Sequence, residues 1–284
     1  MLPVVRAFIS AAAALLLCGG NLAAEPAGLP QTVRCAAVGG LNDIDFWPQL
    51  ADRFQRATGH KVEFVAVGPK QAIAAALTSG EADVVLMHSS DTMINLVADG
   101  YGENPQPWAK NDFVIVGPAS DPAKIRGEKD AVAALKRIIE SRSKLLLHAS
   151  NGANELVSDL LAAGELELDP ATTISLPGDK QRQMLKRAAA EQAYTLVGRI
   201  PFLSGKLETS ELLIMVQGDE RLRRPFLVVT ATKKAGEKSS ADRLTAARRF
   251  AAYLREPTTQ EFIAGFGKGR YDDRPLLFPV VVPR

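Results

Sequence analysis

The sequence predicts an α/β fold, and three observations carry the prediction. Short apolar runs rich in β-branched and small residues recur along the chain. Amphipathic segments of helical period alternate with them, and the connections are brief and rich in Gly, Pro, Asn and Asp. Alternation of that kind implies a parallel sheet covered by helices.

The elements follow in order. TVRCAAV (32–38) reads as a buried strand, and GGLND follows as a turn in which Asn42 or Asp43 can cap the next helix. Phe46, Leu50, Phe54 and Ala57 then share one helical face, and Gly59 ends the helix. KVEFVAV (61–67) is a second strand, 70–79 a helix, and 83–87 a third strand. A short helix closed by Gly100 precedes the strand NDFVIVGP (111–118). Beyond it the pattern gives helices at 128–141, 152–163 and 180–191 and strands at 144–148, 193–197, 210–216 and 224–232. Helices over 241–254 and 258–266 and a Pro-rich tail from Arg270 complete the chain.

Composition bounds the function. The chain has 284 residues, of which 46% are apolar and 23% charged, so a disordered, collagen-like or coiled-coil protein is excluded. The length suits one large or two medium domains. A net charge of +2 carries no nucleic-acid footprint. Residues 1–24 combine Arg6, a short apolar core and the small-residue end Leu22-Ala23-Ala24, the pattern of a cleavable export signal. Leu17 is bulky where a lipoprotein signal needs a small residue, which argues against a lipid anchor on Cys18. Residues 25–31 form a Pro/Gly linker. Cleavage would leave Cys35 without a disulfide partner, and the three His residues lack zinc-ligand spacing, so no metal or cofactor is expected.

No catalytic motif is present: there is no G-x-S-x-G elbow, H-E-x-x-H pair or G-x-x-x-x-G-K-[ST] loop. GFGKG (265–269) follows a helix and reads as its ending turn. Arg221, Arg223 and Arg224 read as a solvated charged face, with docking to a permease as the alternative. Candidate ligand residues come from turns and strand ends. Gly39 and Gly40 can form an anion nest or merely a tight turn. Lys70 and Gln71 open a helix, where the backbone favours negative charge. His88 and Ser89 follow a strand at the carboxyl end of the sheet, where open α/β sheets bind ligands. Ser150, Asn151 and Asn154 begin another helix, as caps or as ligand donors.

The blocks VGPKQAI, SGEADVVLMHS, VADGYG, NDFVIVGP, AYTLVGRIPFL and LLFP together resemble the periplasmic tungstate-binding proteins of ABC importers, over residues 32–279. The resemblance implies a type II periplasmic-binding-protein fold. Each of its two lobes would be a mixed sheet flanked by helices, with crossovers near 111–118 and 205–218. Lobe I would be 32–112 plus 218–284, and lobe II 113–217. It implies a monomer that captures a small tetrahedral oxyanion in the inter-lobe cleft and passes it to a membrane permease. It also adds Arg199, after AYTL, to the ligand residues, with a surface or inter-lobe salt bridge as the alternative.

The departures from the family pattern concern the anion. The family's Thr-Thr-Thr-Ser run is Ala37-Val38-Gly39-Gly40 here, and no Arg stands in 146–154. Lys180 and Arg182 replace small residues at 178–184, and the family's Gly-Thr-Gly-Gln-Ala becomes Gly68-Pro69-Lys70-Gln71-Ala72. Hydroxyl donors are thinned and long cations added. Either the oxyanion is held differently or the cleft serves another solute. A sensor partner on the same fold, or less readily an exported hydrolase, are the alternative functions.

Overall fold

A computed structural model describes residues 29–147, 151–175, 181–205, 211–235 and 239–280. Two mixed sheets share one long strand. The strands are β1 (Thr32–Val38), β2 (Lys61–Gly68), β3 (Val84–His88), β4 (Gly102–Pro118), β5 (Leu145–Leu147), β6 (Thr173–Ser175), β7 (Tyr194–Gly198), β8 (Leu212–Val216) and β9 (Arg223–Ala231). Their order is β2-β1-β3-β9-β4-β7-β5-β6, with β8 also pairing β4. The expected parallel unit is present, β1 lying parallel to both β2 and β3. β4 runs antiparallel to β9 through residue 112, then to β7 and β8 from residue 113. The chain returns to the first sheet through 217–222.

The helices are α1 (Phe46–Thr58), α2 (Lys70–Thr78), α3 (Asp91–Ala98), α4 (Ala131–Glu140), α5 (Asn151–Ala163), α6 (Gln181–Ala190), α7 (Arg199–Leu203), α8 (Ala241–Tyr253) and α9 (Pro257–Gly265). They cover both faces of both sheets. On the first sheet, Phe46, Trp47 and Phe54 of α1 and Phe250 of α8 pack on Val33, Cys35 and Val84. Ile73 and Leu77 of α2 and Met93 and Leu96 of α3 pack on Val85 and Val229 of the opposite face. On the second sheet, α4 and α5 bring Leu135, Ile138, Leu156 and Leu160 onto Tyr194 and Leu196. Met184 and Leu185 of α6 meet Val114, Val116 and Val197 on the other side.

Local chemistry explains the element ends. Gly59 closes α1 at φ 79°, a left-handed cap that costs a glycine little. Asp130 accepts from the N–H groups of Val132 and Ala133 and caps α4, which therefore starts at Ala131 rather than 128.

Several expectations are corrected. Asn42 and Asp43 do not cap α1: Gly39–Ile44 forms a 310 turn, and the left-handed Asp45 precedes the helix without a side-chain cap. Ala57 is exposed, and Trp47 joins the buried face instead. β4 is 17 residues long, not eight, because its pairing tolerates Pro105 and Pro107 by register shifts on either side of them. The short elements β6 and α7 have too few residues to show a period. Of the three arginines Arg221 is exposed as expected, whereas Arg223 and Arg224 are half-buried and paired. Arg221 pairs with Asp219 and Asp130, Arg223 with Asp112 and Glu220, and Arg224 with Glu155.

Ion pairs tie down the two passages between sheets. Buried Asp112 on β4 receives Arg274 at 2.8 Å and Arg223 at 3.4 Å. Arg274 also donates to Gln217, at the start of the return passage. Burial pushes the Asp112 carboxyl up, and the three neighbouring arginines Arg274, Arg223 and Arg199 oppose that shift.

Candidate binding site

The two sheets meet around a cavity of about 220 Å3. Val38, Gly40 and Leu41 reach it from the end of β1 and the 310 turn, and His88 and Phe226 from β3 and β9. Asn111 and Phe113 reach it from β4, on either side of the passage between sheets, and Gly198, Ile200 and Pro201 from the second sheet. Strand register places the polar pair. His88 stands opposite Phe226 in the β3–β9 ladder, and their rings stack at 4.2 Å. Asn111 stands opposite Arg224 in the β4–β9 ladder, so both side chains leave the same face. His88 Nε2 and Asn111 Oδ1 are buried without a well-formed hydrogen bond, although the two side chains stand close enough for Asn111 to act on the His88 pKa, and both can take a ligand or water.

Cations stand beside this cavity. Arg224 reaches from the first sheet to α5 and donates to Glu155 at 2.7 Å and to the Ser89 carbonyl at 3.1 Å. Its guanidinium lies against the backbone of Gly152, where a Cβ would meet Nη1 at 1.9 Å. Lys70 opens α2 half-buried, and among the described residues no carboxylate lies within ion-pair distance of it. Burial and then the charge of Arg224 lower its pKa, while Glu155 and Asp91 raise it. Burial also holds His88 neutral. With Arg224 and Lys70 adding to the effect, its pKa falls to about 3, against a smaller opposing contribution from Asn111.

A pH dependence follows. His88 takes up a proton far more readily in the unfolded chain than in the folded one. Its contribution to stability is therefore present above its ordinary value of 6.5 and is lost as pH falls toward 3. Urea unfolding of His88→Gln between pH 7 and pH 4 should show a shallower loss of stability than the parent protein.

The expected site residues divide. Lys70, His88 and Ser89 gather around Arg224, Ser89 through its carbonyl, and Asn154 on α5 has a buried unpaired Oδ1. Asn151 opens α5, its side chain outside the described residues, as are Ser150, Lys180 and the side chain of Arg182. Gly40 lines the cavity, whereas Gly39 does not. Neither glycine needs a positive φ, and no side chain caps their turn. Gln71 is exposed on α2. Arg199 does not line the cavity and makes the alternative ion pair, between residues 113–217 and 218–284. It is fully buried, gripping Asp272 at 2.5 and 2.6 Å and the Pro275 carbonyl at 2.8 Å. Sequence reasoning missed Arg224, Asn111, Phe113 and Phe226. Among the described residues no group of three His, Cys, Asp or Glu side chains could hold a metal, and no helix is long and apolar enough to cross a membrane.

Comparison with known proteins places this architecture. A tungstate-binding protein, TupA, of Peptoclostridium acidaminophilum is 29% identical, the match covering 98% of each chain. The structure of the tungstate ABC transporter from Geobacter sulfurreducens superposes with a TM-score of 0.67 at 26% identity, covering 83% of this chain and 98% of that one. The TupA structure from Desulfovibrio alaskensis G20 superposes at 0.72 with 24% identity, covering 89% and 100%, and shows the same fold. The fold is that of type II periplasmic binding proteins, and the family model for bacterial extracellular solute-binding proteins matches residues 44–267. The chain belongs to the bacterial extracellular solute-binding proteins.

Proposed function

We propose that this protein is the exported anion receptor of an ABC importer. The observation that carries the reading is a cavity at the sheet junction walled by His88 and Asn111, with Lys70 and Arg224 outside its lining but close enough for their charges to act on His88. An anion is favoured there because the two cations are partly desolvated and, of the two, Glu155 forms an ion pair with Arg224 alone, acting on Lys70 with Asp91 only from a distance. The relatives whose names specify a solute are tungstate-binding proteins, which supplies the class of anion.

The remaining parts of the reading rest on the same frame. Residues 1–24 act as the export signal, delivering a monomer to the periplasm. Residues 32–112 with 218–284 form one lobe and 113–217 the other. They close about β4 and the return passage, with a membrane permease as partner. Arg224 spans the lobes to Glu155 and Gly152, so an anion on Arg224 would favour the closed form.

Thermal unfolding of protein refolded to strip carried-over ligand tests the reading. The panel is tungstate, molybdate, sulfate, phosphate and small carboxylates. At 100-fold over Kd an anion that binds only the native state should add about 2.7 kcal/mol of stability. An unchanged Tm with every anion at millimolar concentration would contradict it.

A further inference from the structure

Among the described residues, the side chains that line the cavity do not supply the donors a bare oxyanion requires. Each oxygen of a tetrahedral anion needs donors, and an oxygen left against hydrocarbon costs several kcal/mol, on the order of 2–7. Here Ala37, Val38, Gly39 and Gly40 carry no hydroxyl, and among the described residues the polar side chains of the wall are His88 and Asn111. The other described lining side chains are hydrocarbon, Phe113 and Phe226 the largest of them. At about 220 Å3 the space is several times the ~30 Å3 share of one water.

The charges point the same way. Lys70 and Arg224 supply two positive charges near His88, and Glu155 takes back one through its 2.7 Å contact with Arg224. Asp91 also acts on Lys70, so little net positive charge remains, which suits a monoanion better than a dianion. That charge lies toward one side, because Arg224 is the register partner of Asn111, while Phe113 lies beyond Asn111 on β4.

Resting on the anion-receptor reading above, we propose that the ligand is a small organic monocarboxylate. Its carboxylate is held by Arg224 and Lys70, and its hydrocarbon body fills the cavity between Phe113 and Phe226. Asn111 Oδ1 and His88 Nε2 face the intervening atoms and accept or donate according to what the ligand carries there.

Calorimetric titration of the ligand-stripped protein tests this with acetate, butyrate, isovalerate and benzoate, and with tungstate and sulfate alongside. Affinity should rise roughly three- to fourfold for each added methylene from acetate to butyrate. In Phe113→Ala the preference for benzoate over acetate should fall at least tenfold, and Phe113→Leu should keep most of it. Should Phe113→Ala fail to fold, the parent series and Phe113→Leu still decide. Tungstate or sulfate binding more tightly than every carboxylate would overturn the proposal and leave the anion receptor standing. So would carboxylates bound without regard to size or to Phe113. If no anion binds, both readings fall.

Discussion

Replacing Arg224 by Ala is expected to weaken anion binding on the order of a hundredfold in a calorimetric titration. Hydrogen bonds to charged groups contribute about 1.5–3 kcal/mol, and truncating one partner of a buried charge pair costs about 2–5 kcal/mol. Arg224 is the cation that touches both sides of the site, through Ser89 on one and Glu155 on the other. Lys should rescue little, since an ammonium lacks the fork that grips a carboxylate or oxyanion at two points. The fold should survive, because Glu155 is 56% exposed and such pairs contribute only about 0–1 kcal/mol to stability. Gly152→Ala offers a check that leaves the charge in place. Its new methyl would occupy the position of the guanidinium and push it aside, so affinity should fall in the same direction by less. Unchanged affinity in Arg224→Ala would remove this residue from the site.

The second large effect concerns stability. Asp272→Ala should lower the unfolding free energy by about 3–5 kcal/mol, because it leaves a buried arginine without its counter-ion. Arg199 has no exposed surface, and beyond the Asp272 carboxylate its bonded partner is the Pro275 carbonyl. For a chain of this size the loss corresponds to a Tm decrease on the order of 10 °C. Below its own transition the variant should still bind anion. A thermal scan showing no decrease would mean that solvent reaches Arg199, contrary to its burial.

Those two arginines show where the sequence was readable and where it was not. The β1-α1-β2-α2-β3 unit was legible because each strand is a short apolar run and each helix has a clear face. The first half of β4 was hidden by Pro105 and Pro107, which argue against a strand until register shifts absorb them. Lys70 and His88 could be placed because both sit where an α/β sheet presents its strand ends. Arg224 lay in a run of three cations that read as solvated. Its distinction depends on Glu155, distant in sequence and on another sheet's helix. Arg199 reads as a ligand residue or an inter-lobe salt bridge, and its partner Asp272, in a turn-like stretch of the tail, is visible only in the fold. Residue type and spacing located the neighbourhood of the site, and pairing across the fold decided which cation is available to a ligand.

The central claim is that an anion sits at the sheet junction in contact with Arg224 and Lys70. Anomalous diffraction from crystals of the ligand-stripped protein soaked in tungstate tests it most directly, since the heavy atom marks its own position. The account predicts one strong peak within hydrogen-bonding distance of Arg224 and near Lys70 and His88. A peak elsewhere on the molecule, or a junction empty both of tungstate and, in a parallel soak, of 4-bromobenzoate, would contradict it.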